Sequence, residues 1–439
     1  MSLIRPLIQP LETRSAFGRV VRNPLLKGGK RISFLNGFLP PQATFTRSTT
    51  GTRFTQSGVN ENIAINGIRS DYNPVSLAPL GSLIETPRTN SIRNSSMVGI
   101  VAGTPGTLPT NWINFLGGGL AQQIVGTGTE RGMPYIDWRI FGTTSSANTS
   151  SISFDTTTGI TAATGQVWTN SFWISLVGGS LANISSSNMR IIERDAAGTT
   201  LVSGTQNILS SITSTATKQV YTRTLVNAGT LRVTPGFDIN YTAVGVAIDA
   251  TFRIYGMQME IGSWASSFIP TTSAAITRTQ DVLTFSSLAS IGMNANEGTV
   301  IVEGFIYQGL LTTSGQRLIE LSDGSGNNRM GIGVLSGGAL GGYIVVGGIT
   351  QGSTMTGVAS PSTMTRYKAA FAFKNGNNAT CMNGGTVAAN TATTMPTPDR
   401  LTIGGSGSFS STNQMNGWVE AITCLPYRLP NNALQALTR

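Results

Sequence analysis

The carboxylates of the last third of the chain, Glu297, Glu303, Glu320, Asp323, Asp399 and Glu420, are the side chains best suited to acid–base chemistry. Cleaving a glycosidic bond needs two of them flanking that bond, yet their positions are scattered and no Glu-x-Asp-x-x-Glu strand occurs. No histidine is present among the 439 residues, which removes Ser-His-Asp and Cys-His mechanisms and His-ligated metals together. A phosphate-cradling GxxxxGK[ST] loop is also absent. The loop from Asp323 to Asn328 has oxygen donors for a structural calcium ion but lacks the acidic pattern of a calcium loop, and such a stretch is more often a hairpin turn. The expectation is a protein with no catalytic residue and no cofactor apart from that calcium. Cys381 and Cys424 are too few for a disulfide framework, and reduced thiols are expected.

Binding is the chemistry the remaining side chains could do. In Tyr135-Ile136-Asp137-Trp138-Arg139-Ile140, alternation puts Ile136, Trp138 and Ile140 on a core face and Tyr135, Asp137 and Arg139 on the other. In residues 168–177 it groups Phe172, Ile174 and Leu176 and turns Trp173 away from them. Trp173, Tyr135, Asp137 and Arg139 are therefore candidates for a glycan-binding face, with a ring stacked on a pyranose and polar groups on its hydroxyls. Packing against a neighbouring sheet or subunit is the competing role.

Charge is concentrated at one end. Residues 1–60 carry nine basic side chains against the single acid Glu12, so most of the net charge of +10 lies there. Arg5, Arg14, Arg19, Arg22, Lys27, Lys30 and Arg31 read as a docking arm, extended and ordered by a partner. That partner is an acidic protein surface; an inert solvated arm, and nucleic acid bound through its phosphates, are the alternatives. Farther on, Arg69, Asp71, Glu85 and Arg88 are opposite charges in a chain that is only 11% charged. Paired hydrogen bonding among them would pin their segment to the domain that follows; a solvated surface is the alternative.

Fifty-three glycines with abundant Ser, Thr and Asn point to many short strands joined by turns. The expected class is all-β: a basic arm over 1–40, a small β-rich module over 41–90, and tandem β-sandwiches over 91–272 and 273–439. No apolar run approaches the length that spans a bilayer, and no leader is read at the N-terminus.

Three stretches carry resemblances. Pro41-x-Ala43-Thr44-Phe45-x-Arg47, Thr52-Arg53-Phe54, Arg69-x-Asp71-Tyr72 and Gly81-x-Leu83-Ile84-Glu85-x-x-Arg88-Thr89-Asn90 resemble the N-terminal module of phage tail and virion fibre proteins, with Thr86 and Pro87 as a minor departure from its pattern. Gln258-x-Glu260-x-Gly262, Ser267-Phe268-x-Pro270-Thr271 and Thr277-Arg278-x-x-Asp281 look like the end of carbohydrate-binding-module-like jelly rolls in phage virion proteins. Arg400 to Gly405, Met415 to Ile422 and Leu429 to Leu437 resemble the closing strands and short helix of concanavalin A-like, laminin G-like jelly rolls. These resemblances imply a fibre, spike or collar component of the bacteriophage virion, assembled in the host cytoplasm and exposed on the particle. Its implied partners are portal, neck, tail or capsid proteins, further copies of itself as a homotrimer, and host surface polysaccharide, with no membrane insertion. A purely structural decoration protein is the alternative function, and a polysaccharide depolymerase is a third.

Overall fold

A computed structural model describes residues 26–35, 37–306, 316–334, 339–359, 364–408 and 413–439, with the backbone strands Ile8–Pro10, Glu12–Arg14 and Val20–Arg22. The protein is all-β, built as sandwiches, and its strands form two compact units. One is continuous, Arg88–Arg278; the other joins Met1–Pro87 to Thr279–Arg439.

In the continuous unit two antiparallel sheets enclose one core. The first runs Ile113–Leu116, Asn148–Ser153, Arg232–Tyr241, Ser186–Arg194, Thr200–Asn207, with Ile160–Thr161 also on Arg232–Tyr241. The second runs Ala121–Glu130, Met133–Thr143, Ala247–Ile261, Val167–Gly179, Thr217–Thr224. Ile136, Trp138, Ile140, Phe172 and Ile174 are fully buried, as alternation predicts, and meet Phe237, Phe252 and Met189 of the same cluster. Trp138, Phe172 and Phe252 all contact Phe237 with ring centroids 5.1–6.3 Å apart, the edge-on geometry that aromatic quadrupoles favour.

In the discontinuous unit, a nine-stranded and an eight-stranded sheet share a second core that includes Val300, Val302, Phe371 and Ile422 from one and Ile319, Ile332 and Leu401 from the other. Here the chain divides differently from the sequence reading. The segment 41–90 is no separate module. Ala43–Thr46 extends the eight-stranded sheet by pairing with Val282–Phe285, and Pro79–Ile84 pairs with Gly417–Leu425 in the nine-stranded one. The arm does not reach residue 40 either, because Lys30–Ser33 also pairs with Gly417–Leu425 and Ile32 and Phe34 are fully buried. The C-terminal strand would otherwise leave one edge unpaired beside a hydrophobic core, and an open edge is a liability. Gly81 shows how close the fit is: at φ 101°, a Cβ there would meet the Val419 carbonyl oxygen at 2.3 Å. The helix Asn431–Leu437 closes a smaller apolar cluster through Ala433 and Leu434. Cys381 and Cys424 are buried free thiols, and burial pushes the Cys424 thiol up to about 12.

A buried set of charges ties these segments together. The Arg47 guanidinium meets Asp281 at 3.0 Å, Arg69 meets Glu85 at 2.8 Å and also meets Asp281, and all four side chains are fully buried. Asp281 further accepts the Glu85 backbone N–H at 2.9 Å. Arg47 donates to the carbonyls of Thr49 and Ala64, each at 2.9 Å, and Arg69 to that of Thr52 at 3.1 Å. Each cation here is buried against an anion, which is the condition for burying charge at all. Of the four residues expected to pin the module, Arg69 and Glu85 lie inside this set. Asp71 instead accepts from Trp418 Nε1 at 2.9 Å and Phe54 N at 2.6 Å, with burial raising its carboxyl to about 6. Arg88 belongs to the continuous unit, where its guanidinium lies 3.6 Å from the centre of the Trp264 ring.

Removing one buried anion leaves a buried cation short of charge. Asp281→Asn is expected to cost about 3–5 kcal/mol, read as faster native-state hydrogen exchange in Pro79–Ile84 and Val282–Phe285. Breaking the exposed Arg400–Asp399 pair by Arg400→Gln should change stability by less than about 1 kcal/mol.

Candidate functional site

The four candidate glycan-binding residues fall on one surface, the outer face of the five-stranded sheet. Cross-strand register puts them there. Tyr135 lies opposite Tyr255, which lies opposite Trp173; Asp137 lies opposite Arg253, and Arg139 opposite Thr251. Residues directly opposite one another point the same way, so all of them face away from Ile136 and Trp138.

Each is already engaged. Trp173 is only 5% exposed. Its ring stacks on Tyr255 with centroids 5.9 Å apart and planes 4° from parallel, and the Arg131 guanidinium sits 5.5 Å from its centre. Arg131 comes from the turn after Ala121–Glu130 and has a left-handed backbone, φ 48°. The ring expected to stack on a sugar is therefore covered by its own sheet, and desolvation there raises the Tyr255 phenol to about 12. Tyr135 is half-buried, with the Arg253 guanidinium 3.8 Å from its ring centre. Asp137 receives Arg253 through two bonds of 2.8 and 2.9 Å, and Glu130 receives it at 3.2 Å. Arg139 binds Asp249 through bonds of 2.8 and 2.7 Å and Gln123 Oε1 at 3.0 Å, while lying 4.5 Å from the Phe141 ring centre. The hydrogen bond from Arg139 holds the Asp249 carboxyl below its ordinary range.

The sheet thus presents oriented guanidinium and carboxylate groups beside one half-buried phenol ring. Such a face can hydrogen-bond hydroxyl groups through its rim atoms. Asp137 and Asp249 are each paired with arginine. Sequence reasoning missed Arg253, Asp249, Tyr255 and Arg131. Alternation within the strand from Ala247 could have set Asp249, Arg253 and Tyr255 on one side, but only register brings them opposite the candidates.

The scattered acids of the last third are partly brought together. Glu303 and Glu420 share Arg366, at 3.0 and 2.6 Å, and Glu303 also meets Arg31. Glu320 is buried, accepting from the Tyr343 hydroxyl at 2.7 Å and Gly407 N at 2.6 Å. In the expected calcium loop, Asp323 accepts from Ser325 N at 2.8 Å and Asn328 Nδ2 at 2.9 Å, so both its oxygens shape the turn. Among the described residues no group of three or more acidic or cysteine side chains is placed to hold a metal. Of the basic arm, Lys27 is exposed, whereas Lys30 donates to the Ser290 carbonyl at 3.0 Å and Arg31 binds Glu303. Lys30 and Arg31 therefore face their own sandwich. The side chains of Arg5, Arg14, Arg19 and Arg22 lie outside the described residues.

No family model matches the sequence, and no curated protein matches it. Solved structures do. The CBM40 domain of the Ruminococcus gnavus IT-sialidase, bound to alpha2,3 sialyllactose, is 15% identical over 34% of this chain and 85% of its own, with a TM-score of 0.29. Domain 4 of AbnA, a GH43 extracellular arabinanase from Geobacillus stearothermophilus in complex with arabinotriose, is 12% identical over 40% and 82%, TM-score 0.26. A structure described as "CBM4 structure and function" is 16% identical over 39% and 100%, also at 0.26.

Because Trp173 is a packed side chain, Trp173→Ala is expected to destabilise the continuous unit by about 3–5 kcal/mol. Arg139→Gln, at a partly exposed position, should have a much smaller effect. Urea unfolding of both variants checks this, and an equal small effect would mean that Trp173 is not packed as described.

Proposed function

We propose that this chain is a non-enzymatic structural protein of a bacteriophage virion, a fibre, spike or collar component that contacts glycans on the host surface. The observation that carries the adhesive part is the outer face of the five-stranded sheet, where Tyr135, Arg139, Asp249 and Gln123 fix donors and acceptors beside a partly open ring. Such a rigid array binds hydroxyls without reorganising, and weak contacts multiply with copy number in a trimer. The virion part rests on the motif resemblances of residues 41–90 and 256–281. The arm that attaches the protein to the particle is then residues 1–25, of which Ile8–Pro10 pairs at the edge of the sheet with the core strand Lys30–Ser33.

The test uses the full chain, because residues 26–87 complete the C-terminal sandwich. Saturable binding to host cells and to their extracted polysaccharide is expected, weakened about tenfold in a Tyr135→Ser, Arg139→Gln double variant. Absence of binding by the oligomer would leave the structural decoration role. Deleting residues 1–25 should give a folded protein that no longer enters particles, and normal incorporation would end the docking-arm reading.

A further inference from the structure

The opposite surface of the same unit carries a different charge arrangement. On Ser186–Arg194, Met189 and Ile191 point into the core, so Arg190 and Arg194 point outward on the six-stranded sheet. Arg232 lies directly opposite Arg194 and shares that face. Two like charges directly opposite each other are destabilising unless something neutralises them.

Acid is scarce there. Arg190 is 91% buried, laid across Gly236, where a Cβ would meet its Nε at 2.7 Å. It donates to Ser153 Oγ at 2.5 Å, but Asp238 stands 4.0 Å away, beyond hydrogen-bond distance. Asp238 takes a hydrogen bond from Asn188 Nδ2 at 2.9 Å instead. Arg194 is equally buried and donates only to neutral oxygens, Thr234 Oγ1 at 2.9 Å, Gly198 O at 2.9 Å and Thr200 Oγ1 at 2.8 Å. Arg232 donates to Thr161 Oγ1. The Nε groups of Arg190 and Arg232 are buried without a hydrogen bond. The adjacent acids point elsewhere: Glu193 turns to Arg223 and Thr230, and Asp195 accepts from Thr199 N in its own turn. Elsewhere in this unit Arg93, Arg139, Arg223 and Arg253 each meet a carboxylate within 2.8 Å. Desolvation lowers the Arg190 guanidinium to about 10 and lowers that of Arg194 as well.

We propose that this face is a second binding site, specific for the anionic groups of a surface polysaccharide, with Arg190, Arg194 and Arg232 as its cationic receptors. Guanidinium groups held in fixed orientation suit carboxylates and phosphates. Phe115 is on the same face, opposite Ser151, which is opposite Asp238, and it is 56% exposed. It stands three strand spacings, about 14 Å, from the strand of the arginines, and its open ring offers an apolar sugar face a platform. The inference takes the polysaccharide from the adhesive reading; the negative charge of the ligand follows from this face alone.

Three immobilised probes separate the outcomes for the full chain: oligogalacturonate for carboxylate, poly(glycerol phosphate) for phosphate, and dextran as the neutral polymer. Binding to at least one anionic probe is expected, weakening as NaCl rises. Arg194→Gln and Arg232→Gln should each weaken it about tenfold or more, Arg194→Lys should restore part of the loss, and Lys374→Gln, which removes one charge from the other unit, should change nothing. Thermal melting establishes that the variants fold, and Arg232, only half-buried, keeps the test open if Arg194→Gln does not. Unchanged binding in both folded arginine variants, or no binding to either anionic probe, overturns the proposal. In that event, binding to dextran or to host cells leaves the adhesive reading standing, and its absence removes both.

Discussion

Much of the discontinuous unit depends on a buried carboxylate, Asp281, that three segments of chain share. Its oxygens take Arg47, Arg69 and the Glu85 backbone N–H, so residues far apart in sequence are held together. An uncompensated charge at this depth would cost several kcal/mol. Pairing of each buried cation with an anion is therefore a condition on the fold itself.

The second constraint is edge closure. Gly417–Leu425 is buried along its whole length and is completed on one side by Lys30–Ser33 and Pro79–Ile84. The sandwich of the last third therefore needs Lys30–Ser33, Ala43–Thr46 and Pro79–Ile84 as strands. Any division of this protein into an arm, a linker and two independent sandwiches cuts hydrogen-bonded ladders. Trp418 shows the coupling at one residue, packing on Leu80 and Leu83 while its indole N–H reaches Asp71.

The two outer faces of the continuous unit differ in electrostatic completeness. On the five-stranded sheet, arginines and acids are matched and aromatic rings are covered by guanidinium groups. On the six-stranded sheet, three arginines face one distant acid. The first can offer oriented dipoles to neutral hydroxyls, whereas on the second three arginines outnumber the one acid that approaches them. Composition treats these arginines alike; their neighbours across the strands distinguish them.

By itself the sequence determined the all-β class, the inward sets around Trp138 and Phe172, the near-neutrality of everything beyond the basic N-terminal segment, and the absence of histidine chemistry. These are local properties, legible because a strand's period of two and the inventory of side chains need no knowledge of partners. Arg69 and Glu85 could be suspected as a pair for the same reason, being close in sequence and opposite in charge. Tertiary structure decided the rest. It selected Asp281 and Arg47 as their companions, placed Arg88 in another unit, buried Trp173 under Arg131, and made strands of residues 30–33 and 79–84. Each of these depends on which strand lies beside which, and in what register, and short alternating segments joined by turns do not encode that choice locally.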